Sequence, residues 1–412
     1  MSFDGLLSSQ RKKLSGRFDA ARLPTYFIYL MKEAEPGGPG GSRAPDVARS
    51  VAAILRSQHP SGAFVASPDF AQYHYCWLRD GSFVAHALDL VGEHEAAERF
   101  HQWCAQAISG VAPAILAALR RRRAGEPVEA SSMPPARFSL DGDVVADEWP
   151  NFQIDGYGTW LWSLEDHLRR TGSDAPGNLA PAVEWVARYI SELGTSPCYD
   201  VWEEYGGSVH TTTLGCVCAG LRSAAAMLGT PSFSEQAEAL RARLLDEARN
   251  NGRFRKSNDN TSVDASSLWL CEPFGLVGPA EGPFAETVRE ILRELDFEGG
   301  LRRYPEDTYY GGGAWPVLTA SLGLCQVAAG DVDAAGARLE WVGHRVDKAG
   351  RLAEQFWGER RDPVHYREWV DHWGPPAADL VWSHAMYVAL ACRLDEVRAA
   401  ANVTTTTEPI GS

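Results

Sequence analysis

The sequence has no excess of positive charge: 39 Lys and Arg stand against 54 Asp and Glu, a net charge of −15. That balance repels phosphate backbones and anionic lipid headgroups, so nucleic acid is not expected as a partner. Apolar stretches long enough to span a bilayer are lacking. So is the continuous apolar core of a signal peptide, because the Arg and Lys of MSFDGLLSSQRKKLSGRFDAARLP follow a short apolar cluster. Neither a membrane nor export is expected, which points to the cytoplasm. The eight cysteines (Cys76, Cys104, Cys198, Cys216, Cys218, Cys271, Cys325, Cys392) include no CxxC pair and no zinc-like Cys/His spacing. Buried free thiols are the expectation. The stretch EAEPGGPGGSRAP at 33–45 has neither the GxGxxG nor the GxxxxGK[ST] spacing of a phosphate loop and reads as a linker. No GxSxG elbow supports Ser383 and His384 as a hydrolase pair. His365, His372 and His384 have no one-face spacing, so neither a metal nor a cofactor is expected.

Alternating apolar runs are scarce as well, whereas helical spacing recurs at 45–57, 79–92, 94–122, 156–171, 180–194, 210–228, 233–250, 263–271, 283–296, 314–329, 332–348 and 377–396. Gly92, Gly194, Gly229 and Gly330 stand where left-handed C-caps would let the chain reverse. At about 150 residues per domain the chain would carry two or three domains, but helical hairpins closing into a ring use the same length in one. The expected fold is all-α, an (α/α)6 barrel of about twelve helices with its active site in loops at one end. Residues 1–44 read as an N-terminal extension and linker, 45–398 as the single barrel domain, and 399–412 as a disordered tail.

What is present in quantity is tryptophan: 14 residues, against 13 tyrosines. Polar and aromatic residues collect before alternate helices, in YHYCWLRD (73–80), EWPNFQID (148–155), YDVWEEYGGS (199–208), RRYPEDTYYGGGAW (302–315) and the segment 352–376. In a closed ring those ends share a face, which becomes one lined pocket. Trp77, Trp149, Trp202, Trp315, Trp357 and Trp382 fall in such motifs, while Trp160, Trp162, Trp185 and Trp341 stand on helical faces and read as core. Aromatic faces pack on the C–H faces of sugars and charged groups bond hydroxyl pairs, so the pocket suits a neutral polyhydroxylated ligand. Hydrolysis at an acetal carbon needs two carboxyl groups, about 6.5–9.5 Å apart for inversion and about 5–5.5 Å for retention.

The strings YHYCWLRDGSF, WPNFQIDGYG, YDVWEEYGGS, GGLRRYPEDTYYGGGAW, LAEQFW and DLVWSHA, in that order from about Pro60 to Arg393, resemble the glucoamylase family, glycoside hydrolase family 15. The resemblance is to its short, catalytic-domain-only bacterial type. It implies an (α/α)6 barrel, exo attack at the non-reducing end of an α-glucoside, and inversion to β-glucose. By that likeness Glu203 is the general acid and Glu354 the general base. Glu204 binds sugar in the leaving-group subsite. Arg79, Asp80 and Arg303 hold hydroxyls, and Tyr73, Trp77, Trp149, Trp202 and Trp315 line the first subsites. Glu203 is then expected to keep its proton through the Glu204 carboxylate and the apolar Trp202, and Glu354 to stay ionised. A solvated acidic loop at Glu203–Glu204, a helix cap at Glu354 and an internal Arg79–Asp80 ion pair are the structural alternatives. Secreted relatives carry export signals, starch-binding modules or β-sandwich domains that this sequence does not display. Isomaltose-like or maltose-like disaccharides are therefore expected as substrates in preference to starch. A trehalase on the same scaffold, a sugar epimerase and a non-catalytic sugar-binding barrel are the rival readings.

Overall fold

A computed structural model describes residues 44–146, 149, 151–358 and 362–406. The helical periodicity resolves, among these described residues, into α1 (Ala44–Arg56), α2 (Leu78–Leu90), α3 (His94–Arg123), α4 (Asp155–Thr171), α5 (Ala180–Leu193) and α6 (Thr211–Leu228). The chain continues with α7 (Pro231–Asn251), α8 (Gly282–Leu295), α9 (Pro316–Ala328), α10 (Val332–Gly343), α11 (Pro363–Trp373) and α12 (Val381–Thr406). Successive inner elements pack side by side: α2 on α4, α4 on α6, α6 on the 3-10 segment Ala265–Leu270, that segment on α9, α9 on α12, and α12 back on α2. The remaining long helices pack outside this ring, α3 on α2 and α5, α7 on α6, and α10 on α9 and α12. His384 Nδ1 and Ser50 Oγ, 2.9 Å apart, tie α12 to α1. The fold is an all-α (α/α)6 barrel.

The inner helices are close because small residues face one another. A Cβ on Gly158 of α4 would lie 2.2 Å from the Cys216 carbonyl oxygen of α6, and one on Gly220 would lie 2.6 Å from Gly158 Cα. Only glycine permits that approach. Trp160, Trp162 and Trp341 are buried and Trp185 is half-buried, as core packing requires. All eight cysteines are free and buried. Extended structure is slight: Cys76–Trp77 pairs antiparallel with Arg137–Phe138, and Asp296–Phe297 with Gly300–Leu301.

Several expectations are corrected. The segment 352–376, where no helix is expected, contains one. Pro363 opens α11 there, and Asp362 Oδ1 caps it by accepting the N–H groups of Val364 (2.9 Å) and His365 (3.1 Å). The helix expected at 263–271 is the tighter 3-10 segment, held by Asp264 at its N-terminus. Gly92, Gly229 and Gly330 have left-handed φ values, but Gly194 is right-handed at φ −63°. Helix α12 runs to Thr406, through residues expected in a tail from 399. The extension at 1–43 and the tail at 407–412 lie outside the described residues. An apolar stretch long enough for a bilayer does exist, in α3, where half of it is buried.

Candidate active site

The segments before five of the six inner elements, α2, α4, α6, α9 and α12, converge at one end of the ring. They line a cavity of about 620 Å³, within the usual small-molecule range of about 300–1,000 Å³. Tyr73, Trp77, Arg79, Asp80, Trp149, Trp202, Glu203, Glu204, Arg303, Trp315 and Glu354 all border it, so the sequence candidates are brought together.

Glu203 sits in a tight turn built by Asp200. One Asp200 oxygen accepts the backbone N–H groups of Trp202 (3.0 Å) and Glu204 (2.9 Å), and the Asp200 carbonyl accepts from Glu203 N–H at 2.9 Å. The turn holds Glu203 at φ +67° and Tyr205 at φ +54°, left-handed backbone that residues with a Cβ rarely adopt. Its carboxyl meets two indoles: Trp77 Nε1 donates to Oε1 at 2.5 Å and Trp149 Nε1 to Oε2 at 2.7 Å. Burial pushes the Glu203 carboxyl above the ordinary glutamate range, against Arg79, the two indole N–H groups and Gln153, which favour the charged form. The cause is thus burial and not the expected Glu204 charge. The Glu204 carboxylate is engaged by Arg303 at 3.2 Å and by the Tyr304 hydroxyl, and Trp202 turns its indole N–H to Asp264 Oδ2 at 2.9 Å.

Glu354 is 1% exposed. Tyr73 Oη donates to its Oε1 at 2.8 Å, while Oε2 has no hydrogen-bond partner among the described residues. Burial pushes its carboxyl up to about 8, opposed by the Tyr73 hydroxyl, Arg303, Tyr309 and Gln355. Burial therefore works against the expectation that Glu354 simply stays ionised. The tyrosine donors and the Arg303 charge are what favour its carboxylate.

Arg79 and Asp80 open α2, where their internal ion pair, at 3.1 Å, also faces the cavity; the structural and ligand-binding readings coexist. Gln153 (2.9 Å) and Asp155 (3.1 Å) fix the other side of the Arg79 guanidinium. Arg303 is clamped by Asp307 at 2.9 and 2.5 Å and stacks over Trp202 and Trp315. Tyr309 is a further wall residue, its hydroxyl 2.7 Å from that of Tyr73. Arg137, paired with Trp77 across the short ladder, lies over the Tyr75, Trp77 and Trp149 rings. Helix α11 adds Trp369, His372 and Trp373. Gln153 and Asp155 stand in the quoted WPNFQID string, so a signal for them exists; α11 and Arg137 have none of comparable strength. Trp382 borders the cavity, but Trp357 does not: its Nε1 is spent on the Tyr310 carbonyl at 2.9 Å. His365 is half-buried beside Glu368, and His384 is buried between Ser50 and Asp379.

Among the described residues, Asp89, His94 and His167 are close enough to hold a metal, within 4.8 Å of one another. They sit at the far end of α2 and are hydrogen-bonded together, Asp89 to His94 at 2.7 Å and to His167 at 3.0 Å. A second cavity, of about 510 Å³, opens toward that end among His86, Trp162, Asp166 and Arg222, where Asp166 is already bound by His86, Arg169 and Arg170.

A sequence-family profile described as "Glycosyl hydrolases family 15" matches residues 42–357. The isomaltose glucohydrolase of Kribbella flavida is 37% identical over 367 residues, 86% of this chain and 94% of the relative. A trehalase, Trehalase 2 of Sulfolobus acidocaldarius, is 24% identical over 63% of this chain and 49% of its own length. A glycosidase variant solved in complex with glucose superposes with a TM-score of 0.83 and 35% identity, covering 87% of this chain and 99% of that one. A bacterial glucoamylase solved with acarbose shares the fold at a TM-score of 0.64 and 19% identity, over 85% of this chain and 55% of its own.

Proposed function

The chain belongs to glycosyl hydrolases family 15, and from that premise we propose that it is an inverting, exo-acting glucohydrolase releasing β-D-glucose from the non-reducing end of small α-gluco-oligosaccharides, isomaltose or maltose first. The observation that carries the proposal is the pairing of two carboxyl groups, half-buried Glu203 and buried Glu354, on one cavity with different donor sets. Glu203, its proton favoured by burial, delivers that proton to the glycosidic oxygen as the bond to the anomeric carbon breaks. Glu354, in its ionised form, takes a proton from the water that attacks the opposite face of that carbon. The acid loses one proton and the base gains one, and exchange with solvent restores both. Arg79, Asp80 and Arg303, each held by buried ion pairs, are oriented in advance to bond the hydroxyls of the terminal glucose. Trp202 and Trp315 offer the stacking surfaces.

The preference for short substrates draws support from the likeness to an isomaltose glucohydrolase and from α11, which adds aromatic walls beside Tyr309 and Trp149. Eight free, buried thiols suit a reducing compartment, and a cytoplasmic location belongs to the same proposal. Proton NMR of fresh product from isomaltose, maltose and trehalose tests linkage and stereochemistry together. β-Glucose appearing first from isomaltose supports the reading. Initial α-glucose overturns inversion, and faster release from trehalose would make the enzyme a trehalase.

A further inference from the structure

We propose that Lys256 is a positioning residue for the general-acid loop, acting through Asp200, Trp202 and Glu204 to hold Glu203 in place. The inference rests on Glu203 being the acid. Lys256 lies in the segment before the 3-10 inner element Ala265–Leu270, where the sequence offers no aromatic motif.

The Lys256 ammonium is 3% exposed and donates to Asp200 Oδ2 at 2.8 Å and to Asp264 Oδ2 at 2.7 Å. Its own backbone is fixed at both ends, its N–H donating to the Ser262 carbonyl at 2.8 Å and its carbonyl accepting from Thr211 at 3.2 Å. Three connections run from it to the acid. Asp200, through its other oxygen, brackets Glu203 by holding the N–H groups of Trp202 and Glu204 on either side. Asp264 receives the indole N–H of Trp202, the residue preceding the acid. The Lys256 Nζ also lies 3.8 Å from the centroid of the Tyr304 ring, whose hydroxyl bonds Glu204. One buried cation thus braces the residues on both sides of Glu203, and Glu203 itself has a left-handed backbone that persists only where its surroundings impose it. Without the ammonium, two buried carboxylates face one another with no counter-charge, and the bracket around Glu203 loses its anchor.

A disturbance confined to the acid has a signature that general destabilisation lacks. Isomaltose needs its leaving oxygen protonated, whereas α-D-glucosyl fluoride expels fluoride with little need of a general acid. Lys256→Met is expected to lower kcat on isomaltose by about a hundredfold, the loss typical of a small misplacement, while kcat on the fluoride stays within a few-fold of the parent and KM changes little. Lys256→Arg, which keeps the charge, should recover part of the isomaltose rate. Equal losses on both substrates, or no loss on either, overturn the proposal. If Lys256→Met does not fold, Asp264→Asn serves in its place: it weakens the hold on Trp202, and the same selective loss is expected, with an equal loss again decisive against. Glu203→Gln runs alongside as the control. If it fails to spare the fluoride, the assignment of Glu203 as acid is what has failed. If it spares the fluoride and Lys256→Met does not, the positioning role has failed.

Discussion

Tyr73 donates its hydroxyl hydrogen to Glu354 Oε1 at 2.8 Å, which leaves its oxygen to accept from Tyr309, 2.7 Å away. The base is therefore at the end of a two-tyrosine chain, and its ionised form depends on that chain. Tyr73→Phe removes a donor that favours the carboxylate, so the Glu354 pKa rises further. A base works only when deprotonated, so its contribution is present above its pKa and lost as pH falls through it. The variant should lose roughly ten- to a hundredfold in kcat/KM at the acidic end, as expected for a hydrogen bond to a charged acceptor worth about 1.5–3 kcal/mol, and the deficit should shrink as pH rises. A pH series of kcat/KM checks this; a deficit independent of pH would separate Tyr73 from the titration of Glu354.

The acid responds in a complementary way. Trp77 Nε1 donates to Glu203 Oε1 at 2.5 Å and so favours its charged form. Trp77→Phe should raise the Glu203 pKa, extending the range in which the acid holds its proton. The ratio of variant to parent kcat/KM is then expected to rise with pH across the alkaline limb. A ratio that falls there would mean that the indole acts on Glu203 by packing alone.

Removing either carboxyl is a coarser test. Glu203→Gln and Glu354→Gln should each lower kcat on isomaltose by about 10²–10⁴, with melting temperatures at or above the parent's, since each removes a carboxyl group whose charged form desolvation disfavours. Activity within tenfold of the parent in either variant would displace that residue from the chemistry.

Helix packing offers a prediction independent of the reaction. Gly158→Ala puts a methyl 2.2 Å from the Cys216 carbonyl oxygen, a backbone atom that cannot rotate aside. Overpacking of this kind costs about 1–3 kcal/mol, so calorimetry should find a lowered melting temperature. An unchanged one would show that α4 and α6 can shift apart freely.

The barrel was legible because its helices bury continuous apolar stripes and its inner ends carry the unusual residues; Trp77, Glu203 and Glu354 stood out for the same reason. Less legible were residues whose importance arises only when distant segments meet. Lys256 and Asp264 occupy a polar stretch of no distinctive spacing and acquire meaning from Asp200 and Trp202, more than fifty residues away in sequence. The cause of the Glu203 shift is hidden in the sequence for a related reason: adjacent carboxyl groups look coupled there, but the turn sends Glu204 to Arg303. Helix α11 was missed because its face toward the site is short and aromatic and none of its residues is buried, so it lacks the apolar stripe that marks a core helix.

That helix makes the substrate-length question testable. Trp369 meets Tyr309 edge-on at 4.8 Å and Trp373 meets Trp149 edge-on at 5.9 Å, so α11 is braced against the walls nearest to both carboxyl groups. Trp149 itself donates to Glu203, which places Trp373 one ring away from the acid, on the side where the leaving sugar departs if Glu203 protonates its oxygen. Trp373→Ala removes a face worth up to about 1.5 kcal/mol, or roughly tenfold in affinity, and opens the cavity beyond the first leaving residue. KM for isomaltose should rise by up to that factor with kcat little changed, while kcat/KM for isomaltotriose relative to isomaltose should increase. Parallel kinetics on the two sugars decide it: if their ratio stays at the parent's value, α11 braces the site without setting the length of its substrate.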